Sequence, residues 1–174
     1  MGIQFETDYN METLTAMAKG LRKTVRKKRS RRVHIFAAVV LILGLLTILA
    51  TTAGGEPLGA SGVVTLLAML VVILVSLFED KLNAWFARKR LLPGTEHAVA
   101  TFEEDGYVSA TGVTESRFSY AQIVAVAETA RYFVFALSSH HTQAYDKRNI
   151  RGGSVEDFRA FIAEKTGKLV EDIK

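Results

Sequence analysis

The sequence predicts an α+β membrane protein: a two-helix transmembrane hairpin plus a small antiparallel β split barrel with a C-terminal helix. Three observations predict it. Two uncharged apolar runs stand close together in the first half of the chain. Basic residues crowd their outer flanks and are missing from the turn between them. Past Pro93 the apolar period falls from 3.6 towards 2. The 174 residues leave room for a membrane hairpin and one small domain. They divide into a cytoplasmic N-terminal strand and basic juxtamembrane helix over 1–32, the hairpin over 33–78, a helical extension over 79–95, and a cytoplasmic domain over 96–174.

Ile3 to Thr7 alternates enough to form a strand, which can add to the C-terminal sheet. From Glu12 to Arg29, Leu14, Met17, Leu21 and Val25 recur at helical spacing, predicting one helix whose Lys/Arg face lies along the membrane surface. Charge is strongly segregated. Residues 1–32 carry nine Lys/Arg against three acids, whereas 96–174 carry nine against twelve. The net charge of +4 therefore belongs to a short basic block. A nucleic-acid-binding domain would spread positive charge over a folded face, and no stacking aromatics accompany this block, so no nucleic-acid partner is expected. The chain has no cysteine, which excludes disulfides, thiolate metal sites and a cysteine nucleophile.

The first span is predicted over about 34–52 and the second over about 58–78. Each is about 20 residues long, the length that crosses a ~30 Å hydrocarbon core. As core helices they would need a larger apolar interior than this chain can build. As a signal peptide the first run starts too late and is followed at once by a second. Gly54-Gly55 and Pro57 mark the tight turn between them, with Pro57 suited to the first turn of the second helix. Arg22, Lys23, Arg26, Lys27, Lys28, Arg29, Arg31 and Arg32 precede the first span, Lys81, Arg88, Lys89 and Arg90 follow the second, and the turn has no Lys or Arg. The positive-inside rule then predicts a two-span protein of the cell membrane with both termini cytoplasmic. Neither span holds an ionisable Asp, Glu, Lys or Arg, which argues against a transporter acting alone. A helical continuation leaves the bilayer after Phe78, with Leu82, Trp85 and Phe86 on one face, Trp85 as an interfacial anchor, and Pro93-Gly94 as its end.

Beyond the boundary, Ala98–Phe102 and Tyr107–Thr111 read as strands joined by an Asp105-Gly106 hairpin turn. Thr111-Gly112 can begin a second turn, and Arg117–Tyr120 and Ile123–Ala127 continue the β pattern. Tyr132–Leu137 is apolar on both faces, as expected of a central strand, and Gln143–Asp146 reads as a last short one. The ending is predicted to be helical. Ser154 and Asp157 form a capping-box-like pair, Val155, Phe158, Phe161 and Ile162 make the apolar stripe, and Gly167 is the C-cap.

Several of these segments together resemble a family: Ile3-Gln4-Phe5 leading to Asp8-Tyr9, the two spans, Phe118-Ser119-Tyr120-Ala121-Gln122-Ile123, Glu128, Asp146-Lys147-Arg148, and the last helix with Phe158. The chain resembles the YcxB-like membrane proteins, and the resemblance implies a pleckstrin-homology-like C-terminal domain. It departs from the family pattern at Asp146, where a proline commonly precedes the basic pair. The resemblance supplies no catalytic residues.

The candidate contacts are therefore with lipid and anions. Arg22, Lys23, Arg26, Lys27, Lys28, Arg29, Arg31, Arg32, Trp85, Arg88, Lys89 and Arg90 are expected at the membrane surface, against anionic headgroups. Lys147, Arg148 and Arg151 are candidate anion contacts if their segment lines a barrel mouth. Adjacent His140 and His141 point to opposite faces on a strand, which is poor geometry for one metal ion, and Gly152-Gly153 lacks a phosphate-loop pattern. No cofactor, metal or catalytic group is expected. The leading expectation is a non-enzymatic, membrane-anchored interaction module that binds a protein partner, another copy or the membrane surface. The alternative is an accessory or immunity-type subunit of a larger membrane complex or transporter, its hairpin packing through Gly59, Ser61 and Gly62. An enzyme acting on a lipid headgroup ranks third.

Overall fold

A computed structural model describes residues 2–55 and 57–173. The chain forms two units: one from residues up to Lys27 and from Asn83 onward, the other from Lys28 to Leu82.

The first unit is a β-rich domain of two sheets. Strands β1 (Ile3–Asp8), β2 (His97–Phe102), β3 (Gly106–Thr111), β4 (Glu115–Ser119) and β8 (Ile150–Arg151) form a five-stranded antiparallel sheet in the order β4-β3-β2-β1-β8. Strands β5 (Ala125–Glu128), β6 (Tyr132–Ala136), β7 (Thr142–Asp146) and β9 (Val170–Asp172) form a second sheet in the order β7-β6-β5-β9, antiparallel except for β5 with β9. Helix α5 (Val155–Thr166) lies between β8 and β9 in sequence. The N-terminal strand is internal to its sheet. Ile3 pairs with Phe102 and Asp8 with His97 on one side, and Phe5 pairs with Ile150 on the other.

The core is aromatic and shared by both sheets and α5. Phe5, Phe102 and Tyr107 from the first sheet, Phe133, Phe135 and Tyr145 from the second, and Phe158 from α5 are all buried in one cluster. Phe158 stacks edge-on to Phe5 at 4.6 Å and to Phe102 at 4.7 Å, the offset geometry that aromatic quadrupoles favour. All five residues of β6 are buried, as its apolar run requires of an internal strand.

Two expectations about local structure change here. The predicted helix over Glu12–Arg29 is broken. Helix α1 spans Met11–Lys23, a turn occupies residues 24–26, and α2 starts at Lys27. Thr24 is the C-cap of α1 and leaves helical geometry at φ −103°, ψ −93°, while its N–H and hydroxyl both donate to Gly20 O, at 3.1 and 2.8 Å. The apolar face of α1 packs on the second sheet: Leu14, Ala16 and Leu21 are buried, and α1 contacts β5, β6 and β7. Nor is α5 the end of the fold. Gly167 caps it in the left-handed conformation, φ 63°, and the chain then returns as β9, pairing Val170 with Val126. Three residues show no periodicity, which is why this strand is silent in the sequence. The Asp105-Gly106 turn occurs, but no residue in it, Gly106 included, has positive φ, and the glycine is needed for another reason. A Cβ there would collide with the carbonyl of Phe118 on β4.

The second unit is a helical pair, α2 (Lys27–Ala53) and α3 (Ala60–Leu77), with Phe78 leading directly into α4 (Glu79–Lys89). Both α2 and α3 are long and apolar enough to cross a membrane, and none of their residues is buried. They are therefore not core helices. The second helix begins two residues later than expected: Pro57 stands ahead of it and Gly59 is its N-cap. Leu58 folds back over the first turn, filling the space beside Gly62. The tight approach inside this unit is instead at Gly44, where an added Cβ would lie 2.8 Å from Met69 Sδ.

Candidate functional site

The basic residues expected at the membrane surface fall on α1, α2 and α4 and in the turns that follow α1 and α4. Arg22 and Lys23 end α1, where cations complement the negative end of the helix dipole. Arg26, in the break, donates from Nε to Ser139 O at 2.6 Å and so ties this turn to the loop between β6 and β7. Lys27, Lys28, Arg29, Arg31 and Arg32 occupy the first two turns of α2 and are all exposed. No acid lies in that first turn. Cations at a helix N-terminus oppose the macrodipole, at a cost of a few tenths of a kcal/mol each, about 0.3–1. Helix stability therefore does not explain this cluster.

On α4 the charges follow the dipole, with Glu79 and Asp80 in the first turn and Arg88 and Lys89 in the last. Lys89 Nζ sits 3.5 Å over the ring of Trp85, and Trp85 meets Phe86 edge-on at 5.0 Å. Trp85, Phe86, Arg88, Lys89 and Arg90 are all exposed, an apolar and cationic surface of the kind an interfacial anchor uses.

The candidate anion contacts are each drawn into an ion pair. Lys147 Nζ donates to Glu128 Oε1 at 2.5 Å and to Thr129 O at 2.6 Å. Arg148 binds the Asp146 carboxylate through Nε at 3.2 Å and a terminal nitrogen at 3.0 Å, and Arg151 meets Glu6 at 3.0 Å. The loop's positive charge is thus largely answered within the domain.

Sequence reasoning named the two carboxylates at the centre of this network, Glu128 and Asp146, only as marks of the family resemblance and gave neither a structural role. Glu128, at the end of β5, accepts from Lys147 and from both Nε and a terminal nitrogen of Arg159, at 2.7 and 2.6 Å. The Arg159 hydrogen bonds first, then Lys147, hold its carboxyl below the usual carboxylate range against the opposing effect of burial. Asp146, 4% exposed, accepts from Arg131 at 3.0 and 2.9 Å as well as from Arg148, while its own N–H donates to Thr7 Oγ1 on β1. Arg131 also pairs with Glu12 on α1. These carboxylates are saturated by cations, a structural arrangement that joins β1, α1, β5, β7 and α5.

The histidines are dispersed. His140 bonds Ser139 Oγ at 2.7 Å, His141 faces Phe118, and His97 bonds Asp8 at 2.7 Å. In the helical unit, His34 Nδ1 meets Ser30 O at 2.8 Å. No group of three metal-ligating side chains comes together among the described residues.

Neither a curated protein nor a solved structure matches the chain. A family model described as YcxB-like protein matches residues 102–162, from the end of β2 through Ile162 on α5. That segment holds the Phe118–Ile123 run, Glu128, Asp146-Lys147-Arg148 and Phe158, part of the set on which the family resemblance rests, and over it the chain is similar to the YcxB-like family.

Proposed function

We propose that the chain is a non-enzymatic interaction module anchored in the cell membrane by two spans, with its β-rich domain held at the cytoplasmic surface. One observation carries the reading: five exposed cations on the first turns of α2 run, in one uninterrupted helix, into an uncharged apolar stretch with no buried residue. A cluster that weakens its own helix end gains most from an anionic surface, where each Lys or Arg is worth about 1 kcal/mol. The exposed Trp85 and Lys89 pair supports the same surface on the other flank. Saturated carboxylates in the domain support a binding role over a chemical one. The two sheets around α5 support a pleckstrin-homology-like split barrel, a fold widely used for recognition, and that step is analogy.

The chain has no cysteine, so single cysteines report its orientation cleanly. In intact cells a membrane-impermeant maleimide should label Gly54→Cys, while Ser30→Cys and Ala130→Cys react only after permeabilisation. Replacing Lys27, Lys28, Arg29, Arg31 and Arg32 with Gln should give mixed labelling at all three positions. Labelling of Ser30→Cys and Ala130→Cys from outside in the otherwise native chain overturns the orientation. Recovery with a stoichiometric membrane partner in mild detergent would favour the accessory-subunit alternative.

A further inference from the structure

A groove of about 290 Å³ opens on the β-rich domain between α1, the β3–β4 hairpin and the start of β7. Its walls are of two kinds. Leu14, Met17 and Phe118 make an apolar flank, and Ser109, Ser116 and Thr142 face it with hydroxyls. Among the described residues no Lys, Arg, Asp or Glu lines it. His141 is the one imidazole in the lining, so a charged ligand would lose hydration and find no permanently charged group to offset that desolvation cost.

Two donors at the base of the groove have no protein partner among the described residues. Gln143 is only 7% exposed. Its Oε1 accepts from the hydroxyls of Tyr107 and Tyr145, each at 2.7 Å, which holds the carboxamide oxygen inward. The amide nitrogen is left without an acceptor. Because no fully buried side-chain nitrogen or oxygen in the described residues lacks a hydrogen bond, that N–H₂ must open to the groove. The Tyr9 hydroxyl, at the end of β1, is likewise unpartnered and also lines the groove. Burial pushes its pKa up to about 12, so it remains a protonated donor at neutral pH.

We propose that this groove is a binding site for a small uncharged molecule with a carbonyl-type acceptor oxygen and a short alkyl flank, as in a neutral amide. The oxygen takes hydrogen bonds from the Gln143 amide and the Tyr9 hydroxyl, and the alkyl part lies on Leu14, Met17 and Phe118. The volume sits at the lower limit of small-molecule pockets, which restricts the occupant to a compact ligand. The site does not depend on the membrane-surface reading, because its lining comes wholly from the β-rich domain.

N-butylacetamide titrated into the isotope-labelled full chain in nanodiscs tests the proposal, with butyrate and butylammonium as charged controls. The backbone amides of Thr142 and Gln143 and the Gln143 side-chain N–H₂ should shift saturably with the amide, and at least tenfold less with either control. Gln143→Leu strands two phenol donors and can unfold the domain, so Tyr9→Phe carries the test, with its native spectrum as the folding control. Tyr9→Phe should weaken the amide at least fivefold. Absence of saturable shifts with the native chain, equal affinity in Tyr9→Phe, or equal binding of butyrate overturns the assignment.

Discussion

Glu128 is the residue on which most of the domain's polar order converges, because it neutralises a cation from β7's far end and another from α5 at once. Replacing it with Gln keeps the shape and removes the charge, leaving Lys147, itself 12% exposed at the side chain, without its counter-ion. Breaking a shielded pair on one side costs more than the pair contributes, so Glu128→Gln should lower stability by about 2 kcal/mol at pH 7. The pH dependence has a defined sign. The folded carboxyl titrates below its ordinary value of 4.5, so its contribution is present above that range and is lost as pH falls through the lowered folded value. Denaturation of the two proteins should therefore differ by a constant amount between pH 7 and about 5 and converge in stronger acid. A constant difference down to pH 2 would show that the charge is not responsible. This node was hidden in the sequence for a plain reason. Its partners stand 19 and 31 positions away, and only the β5-β6-β7 register with the placement of α5 brings them together. Ser154 and Asp157 were legible because a capping box closes within three residues, here with Asp157 N–H donating to Ser154 Oγ at 3.0 Å.

Among the elements, α1 separates what a periodic pattern reveals from what it leaves open. Its apolar stripe is plain in the sequence, but a stripe does not say whether it faces a bilayer or a sheet. The deciding contact is at Gly20, where helix α1 meets β6: an added Cβ would lie 2.6 Å from Val134 Cγ1. Gly20→Ala gains about 1 kcal/mol of helix propensity. It also overpacks a β-branched side chain that is 1% exposed, and such strain costs about 1–3 kcal/mol. The net should be destabilising. Val134→Ala opens a cavity and is destabilising alone, yet it makes room for the new methyl. The double variant should therefore be more stable than the sum of the two losses predicts, with a coupling of about 1 kcal/mol in chemical denaturation. Strict additivity would mean that α1 is not seated on β6 as described. This packing assigns the apolar stripe of α1 to the sheet, whereas α2 and α3 are long and apolar enough to cross a membrane and bury none of their residues.

At the scale of the molecule, the chain order is that of one fold interrupted. β1 lies inside the five-stranded sheet, between β2 and β8, although the whole helical unit separates it in sequence from β2. The alternation of Ile3, Phe5 and Thr7 made the strand legible, but no local signal gives its register with residues 97–102. Phe5 is fully buried and touches Phe102, Phe133, Tyr145 and Phe158, so β1 supplies the centre of the core as well as a row of backbone hydrogen bonds. A chain starting at Asn83 would expose both inner edges of the split sheet and an aromatic cavity. It should be aggregated or molten, with weak near-ultraviolet circular dichroism. Joining residue 27 to residue 83 through a Gly/Ser linker of about 30 residues, which reaches roughly 30 Å on average, should restore β1 without the spans. That protein should be soluble and unfold cooperatively, and Phe5→Ala in it should cost about 3–5 kcal/mol. Cooperative folding of the shortened chain without β1 would overturn this account, because an internal strand that carries Phe5 would then be dispensable.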